Sequence, residues 1–216
     1  MMEKLKQNYT IQAWLVLLLA LFFGASLAGV QLVLAPKIKQ NKMNETLQKV
    51  PNLIPGPSQK ERSGKMPRLE IIPETVEVRK NGRKKFYSVF HASRNGRPAG
   101  WVVKSSGQGY ADRIELLIGF DPLVNAITGL FILEQKETPG LGNKIIQKEW
   151  TNQFLQKKTD QEITAVKTNA AASNEIDAIT GATISSRSVC AIINNTVGDL
   201  KEVLNKKDKN LKTGKH

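Results

Sequence analysis

The chain has 216 residues, with 32 Lys and Arg against 19 Asp and Glu, a formal net charge of +13. Its single cysteine, Cys190, excludes an intramolecular disulfide framework, c-type haem attachment and any cysteine-ligated cluster made by this chain alone. Its two histidines, His91 and His216, exclude a His-rich metal site. So large a positive charge suggests nucleic acid or an anionic membrane, but it is unevenly placed. Residues 37–85 carry +8 and residues 201–216 carry +4, while residues 86–200 are neutral.

Taken in chain order, residues 1–36 form an apolar N-terminal segment. No charge occurs between Lys6 and Lys37, and Ile11–Ala35 is almost wholly apolar. As a helix those residues would extend ~37 Å, enough to cross a ~30 Å hydrocarbon core with some tilt. Ser26-Leu27-Ala28 would serve as a small-residue cleavage site for a signal peptide, but the apolar run continues to Leu34, which favours an uncleaved anchor. Pro36 and Lys37 are expected to stop the run. Cations flank both ends, so charge alone does not orient the span.

Residues 37–85 read as a basic connector, broken by Pro51, Pro55 and Pro57, with a basic turn around Asn81-Gly82. A solvated hairpin or linker explains that charge run more simply than a lipid-binding patch. From residue 86 the pattern becomes strand-like: Phe86–Ala92, Gly100–Lys104, Ile114–Phe120 and Ala126–Leu133, with Asn95-Gly96 as a turn signal. Such short, closely spaced runs predict antiparallel pairing. A helix is expected over Lys144–Lys157 and a short strand over Ile163–Val166. A last helix from about Ser185 to Leu204 carries Val189, Ile192, Ile193, Val197, Leu200 and Leu204 on one face. The sum is an α+β domain over 86–204, with a basic tail at 205–216.

Two motifs lie in the neutral region. Asp177-Ala-Ile-Thr180-Gly181-Ala182-Thr183-Ile-Ser185-Ser186 leads into the last helix. Gly181 and Ala182 leave the backbone accessible, and Thr183 falls at the helix mouth, where free N–H groups favour a phosphate. An N-cap provided by Ser185 or Ser186 is the simpler account of these residues alone. The second motif, Glu137-Thr138-Pro139-Gly140-Leu141-Gly142, lies between a strand and a helix. It is neither a Walker A loop nor a dinucleotide fingerprint, since no Gly-Lys-Ser/Thr follows and Ile145 stands where a third glycine belongs. It is either an ordinary strand-to-helix turn or the wall of a flat ligand pocket.

Together, in this order and after one span, the two motifs resemble the covalent-FMN-binding domain. That domain occurs in the G subunit of Rnf-type electron transport complexes and in the C subunit of the sodium-translocating NADH:quinone reductase. The resemblance implies FMN linked through a phosphoester to Thr183. Asp177, Thr180, Gly181 and Ala182 would form the segment recognised by a flavin transferase, with Ser185 in the hydroxyl-rich helix start. Glu137, Thr138, Gly140, Leu141 and Gly142 would approach the flavin. Two departures stand out: Thr180 replaces a frequent serine, and Gln135 replaces a frequent histidine.

The resemblance further implies an electron-relay component of a membrane complex linking ferredoxin and NAD to sodium or proton translocation, rather than a stand-alone enzyme. Its partners would be the other membrane subunits, the transferase and membrane lipid, with no nucleic acid. The soluble domain would lie on the extracytoplasmic side of the cell membrane. No catalytic residue and no metal ligand are expected. His91 reads as structural or surface, and Cys190 as a small core residue. The alternatives are the C subunit of the quinone reductase, an anchored flavoprotein with its own acceptor, and a membrane-anchored basic binding protein without flavin.

Overall fold

The computed structural model describes residues 9–56, 69–80 and 82–213, with side chains as far as 208. Lys4, Lys6, Pro57, Asn81 and the last three residues lie outside that range. The chain divides into two units, residues 1–47 and 48–216.

Helix α1 spans Tyr9–Leu53. It is long and apolar enough to cross a membrane. Trp14, Phe22, Phe23 and Leu32 all stand exposed along it, as side chains facing lipid would. Pro36 does not end the helix as the sequence suggested. The residues after it are rich in Lys, Gln, Met, Glu and Leu, all good helix formers, and they carry the helix on to Leu53.

In the second unit, five strands form an antiparallel meander in sequential order: β1 (Leu69–Lys80), β2 (Arg83–Arg94), β3 (Arg97–Gln108), β4 (Arg113–Phe120) and β5 (Ile127–Glu134). The Asn95-Gly96 turn has positive φ at both residues, 49° and 72°, which suits the twist of a two-residue hairpin. The expected boundary at residue 86 falls inside β2, and β1 together with Arg83–Lys85 belongs to the sheet, paired in its first hairpin. β1 escaped the sequence pattern because most of its side chains are exposed and nearly half are charged; among its residues only Val76 is buried.

Helix α3 (Thr183–Thr213) covers one face of the sheet. Val189, Ile193, Leu200 and Leu204 are at most 1% exposed and share a core with Trp101, Val103, Leu116 and Ile118. Gly107 permits the close approach, since a Cβ there would lie 2.6 Å from Ile192 Cγ1. A buried hydroxyl pair, Thr196 to Ser105 at 2.7 Å, pins the helix to β3. The helix continues past Leu204 to Thr213, so most of the expected tail is helical, and Asp208 is buried. The opposite face of the sheet is met by the end of α1. Leu53 and Ile54 are buried there, and the Leu53 carbonyl accepts from the Thr128 hydroxyl at 2.6 Å. Glycines make this possible: a Cβ on Gly119 would lie 2.3 Å from that carbonyl oxygen.

The single helix expected over Lys144–Lys157 is three short pieces: a 3-10 turn Gly142–Ile146, α2 (Lys148–Thr151) and a second 3-10 turn Asn152–Phe154. Ile145, Trp150 and Phe154 all face the core. Residues five apart sit ~140° apart on one α-helix, so the chain breaks at extended Gln147 (φ −69°, ψ 135°) to bring Ile145 and Trp150 to one side. Strand β6 (Thr164–Val166) then pairs in parallel with β7 (Glu175–Asp177).

In the basic run around the β1–β2 turn, four cations, Arg79, Lys80, Lys84 and Lys85, pair within the domain. Asp199 on α3 accepts from Lys80 Nζ (2.8 Å), Lys85 Nζ (3.2 Å) and the Tyr87 hydroxyl (2.6 Å). Glu77 pairs with Arg79 (3.1 Å) and Lys84 (3.2 Å). Burial pushes the Asp199 carboxyl up, but its three hydrogen bonds together hold it below the usual carboxylate value. A carboxyl depressed in the folded state stabilises the fold above its unfolded pKa, and that stabilisation is lost as pH falls through the folded value. Asp199→Asn is therefore expected to melt below the parent at neutral pH, with the gap narrowing between about pH 5 and pH 2. Thermal melts across that range check this. Burial, followed by the hydrogen bond to Asp199, raises the Tyr87 phenol above its usual value, so stability should also fall above about pH 10, where only the unfolded phenol ionises.

Candidate functional site

A cleft of about 480 Å³ opens at the mouth of α3, within the size range of small-molecule sites. Its lining comes from three places: Tyr110 in the β3–β4 turn, Thr138, Leu141 and Gly142 from the Glu137–Gly142 loop, and residues 181–185 from the start of α3. Segments far apart in sequence thus meet across one opening.

Each segment is held in place by its own chemistry. Gly181 takes φ +80°, a left-handed conformation that suits glycine, and a Cβ there would press on Leu141 Cδ2 at 3.0 Å. The Ser186 hydroxyl accepts from the Ile179 N–H at 3.0 Å and donates to the Ala182 carbonyl at 3.0 Å. It is Ser186, fully buried, that ties the loop to the helix start. Thr183 is the first residue of α3. Its side chain is half-buried on the cleft wall, and among the described residues its hydroxyl has no hydrogen-bond partner. The first N–H groups of any helix lack intrahelical acceptors and carry the positive dipole end. Thr183 therefore presents a free hydroxyl where a phosphate is favoured.

The Glu137–Gly142 loop folds into two turns. Thr138 O accepts from the N–H groups of Leu141 and Asn143, both at 3.2 Å, and Gly140, within the first of these turns, takes φ +75°. Leu141 is 42% exposed and Ile184 is 55% exposed, so the rim of the cleft is apolar. Glu137 does not line it. Its carboxylate, 4% exposed, lies beneath the opening, where it accepts from the backbone N–H groups of Tyr110 (3.3 Å) and Ala111 (3.2 Å) and from the Ser185 hydroxyl. Gln135, the departure noted in the sequence, accepts from the Glu137 N–H at 2.7 Å and so shapes the loop.

Asp177, Thr180 and Gly140 are exposed and lie outside the lining. Asp177 closes β7: its carboxylate accepts from the Ala170 N–H at 2.9 Å, and its carbonyl from Trp150 Nε1 at 2.9 Å. Sequence reasoning missed Tyr110, which is 61% exposed beside the cleft. An aromatic between Gly109 and Asp112 in a strand-to-strand turn was the available signal. Elsewhere, His91 is 7% exposed and packs against Trp101, ring centroids 4.4 Å apart and planes tilted by 41°. Cys190 is 3% exposed and burial pushes its thiol up to about 12, so it is an inert core residue.

Residues 109–198, which include every wall of the cleft, match the FMN-binding domain family. That stretch is similar to the FMN-binding domain over less than half of the chain. Curated relatives carry the comparison further. The chain is 34% identical over 134 residues to the G subunit of the Na(+)-translocating ferredoxin:NAD(+) oxidoreductase complex of Acetobacterium woodii, covering 61% of this chain and 64% of that one. It is 33% identical over 114 residues to the G subunit of the ion-translocating oxidoreductase complex of Pseudoalteromonas atlantica, covering 50% of this chain and 51% of that one. The chain thus spans about half to just under two thirds of the length of these relatives. Among solved structures, the C subunit of the Na(+)-translocating NADH-quinone reductase of Parabacteroides distasonis superposes with a TM-score of 0.52 at 27% identity, over 62% of this chain and 78% of that one. Shewanella oneidensis NqrC, at 20% identity and a TM-score of 0.52 over 74% of this chain and 70% of that one, shares the fold.

The matched region combines an apolar rim, an open cleft and a helix N-terminus of the kind that favours phosphate. The matched region begins at Gly109, so β1, β2 and β3 lie before it.

Proposed function

We propose that this chain is a membrane-anchored flavoprotein subunit that relays electrons within an Rnf-like complex, with FMN joined to Thr183 through a phosphoester. The observation that carries the reading is the Thr183 hydroxyl, unengaged at the first turn of α3 on the wall of the cleft. The flavin supplies the redox chemistry; the protein supplies position and electrostatics. Glu137, Thr138, Gly140, Leu141 and Gly142 form the loop on one side of the ring. Gly181, Ala182 and Thr183 receive the phosphate end, and Ser185, its hydroxyl held by Glu137, supports that turn from within. Asp177 and Thr180, exposed on the approach to Thr183, suit recognition by a flavin transferase.

Helix α1 serves as the anchor in lipid, and the domain works on the extracytoplasmic side, where a covalent link prevents loss of the cofactor. Docking is to other membrane subunits of the complex, and electrons pass between ferredoxin and NAD in a path coupled to sodium or proton movement. The quinone-reductase reading draws on the Parabacteroides distasonis likeness, but the relatives from ion-translocating oxidoreductase complexes favour the first. Intact mass of the chain, made with its transferase, tests the assignment: the expected result is one added FMN, on the peptide containing Thr183.

Tyr110 extends the prediction. An aromatic side chain against an isoalloxazine ring quenches its emission by stacking and electron transfer. Tyr110→Leu is therefore expected to brighten the bound flavin severalfold, read as fluorescence yield at equal flavin absorbance.

A further inference from the structure

Glu137 was expected to face a ligand, yet its carboxylate is turned inward and holds three segments together. Its own loop leads into the cleft wall. It accepts from the Tyr110 and Ala111 N–H groups, which fixes the β3–β4 turn. It also accepts from the Ser185 hydroxyl, which fixes the first turn of α3. Two glycines leave room for it: a Cβ on Gly109 would lie 2.3 Å from Glu137 Oε1, and one on Gly142 would lie 2.8 Å from Glu137 Cβ. Ser185 is 2% exposed and Glu137 is 4% exposed, so this is a buried, fully engaged connection rather than a surface contact.

We propose that Glu137 and Ser185 form a clasp that positions Thr183 for attachment of the flavin. The inference rests on Thr183 being the attachment point. Helix ends fray because their first N–H groups lack partners. Pinning Ser185 inward stops this turn from fraying. At ~100° per residue, Ser185 and Thr183 point ~200° apart around the helix, so holding the first inside turns the second outward. A carboxylate at a helix N-terminus is also favoured by the dipole.

Attachment forms a bond between Thr183 Oγ1 and the flavin phosphorus. It breaks the phosphoanhydride bond of a flavin dinucleotide donor, releases a nucleoside monophosphate and passes the hydroxyl proton to a base on the transferase. No electron transfer is involved. Glu137 touches none of the reacting atoms; it is a positioning residue.

The test uses the full chain in detergent, purified without flavin, with a flavin transferase and flavin dinucleotide, followed by fluorescence on denaturing gels. Glu137→Ala and Ser185→Ala should each lower the kcat of labelling about tenfold to a hundredfold, the cost of a misplaced reacting group. KM for the chain should stay within about twofold, because the exposed recognition segment is unchanged. Glu137→Gln should restore only part of the rate: its amide oxygen can still accept from the Ala111 N–H and its NH₂ can donate to Ser185, but that NH₂ then faces the Tyr110 N–H, donor against donor. Should Glu137→Ala fail to fold, Ser185→Ala, which removes only a hydroxyl, decides. Labelling of the folded alanine variants at the parental kcat, or a raised KM with kcat intact, overturns the clasp while Thr183→Ala stays dark. A fluorescent Thr183→Ala chain would instead overturn the attachment reading itself.

Discussion

Thr183→Ala is expected to carry no covalent flavin. The substitution removes one hydroxyl from the cleft wall and little else, since that hydroxyl makes no hydrogen bond among the described residues. Alanine is also the better helix former, so the first turn of α3 should survive. Folding and thermal stability should therefore match the parent within about 0.5 kcal/mol, while the covalent label disappears entirely. Thr183→Ser keeps the nucleophile and should still be labelled, more slowly because serine loses the χ1 restriction of a β-branched side chain. Denaturing-gel fluorescence and intact mass read both variants. Retention of the added mass in Thr183→Ala would place the flavin on another hydroxyl, with Ser185 and Ser186 excluded as first candidates by their burial at 2% and 0% exposure.

Trp101→Ala is expected to have the largest effect on stability. Trp101 is fully buried in the centre of the sheet, opposite Phe120 on β4 and His91 on β2. Its indole N–H donates to the Pro122 carbonyl at 3.2 Å, fixing the turn that follows β4. Truncation would lose the ring's transfer free energy, leave a cavity and strand that carbonyl. Large aromatic-to-alanine changes in cores cost about 3–5 kcal/mol, against a total stability of about 5–15 kcal/mol for a typical domain. Denaturant unfolding should show the midpoint fall with little change in slope. A loss below about 1 kcal/mol would mean that the core collapses around the gap.

The sheet was legible from residue 86 onward because its strands alternate or run apolar, and the Asn95-Gly96 turn announced itself by residue type. β1 was hidden because most of its side chains face water. Its place depends on pairing with β2, a contact set by the partner strand rather than by its own pattern. The helix expected over Lys144–Lys157 failed for a related reason. Its apolar residues suggested one face, but the core needed Ile145 and Trp150 on the same side, and three short turns provide that where one helix does not.

At the site, the two motifs could be read along the chain because Gly, Pro and Thr in fixed order restrict the backbone locally. That reading went as far as the phosphate-favouring start of α3, with Thr183 at its mouth, and the turn over residues 137–142. It also located the +13: the excess sits outside the neutral region that holds both motifs, and in the hairpin it is answered by Asp199 and Glu77. Folding decided which motif residues face the cleft and which hold it up. Glu137 went inward to Ser185, Asp177 closed a strand, and Tyr110, outside both motifs, became a wall. Local sequence sets turn and cap geometry within a few residues. The direction of a buried carboxylate depends on donors brought from separate segments, and only the packed structure assembles those.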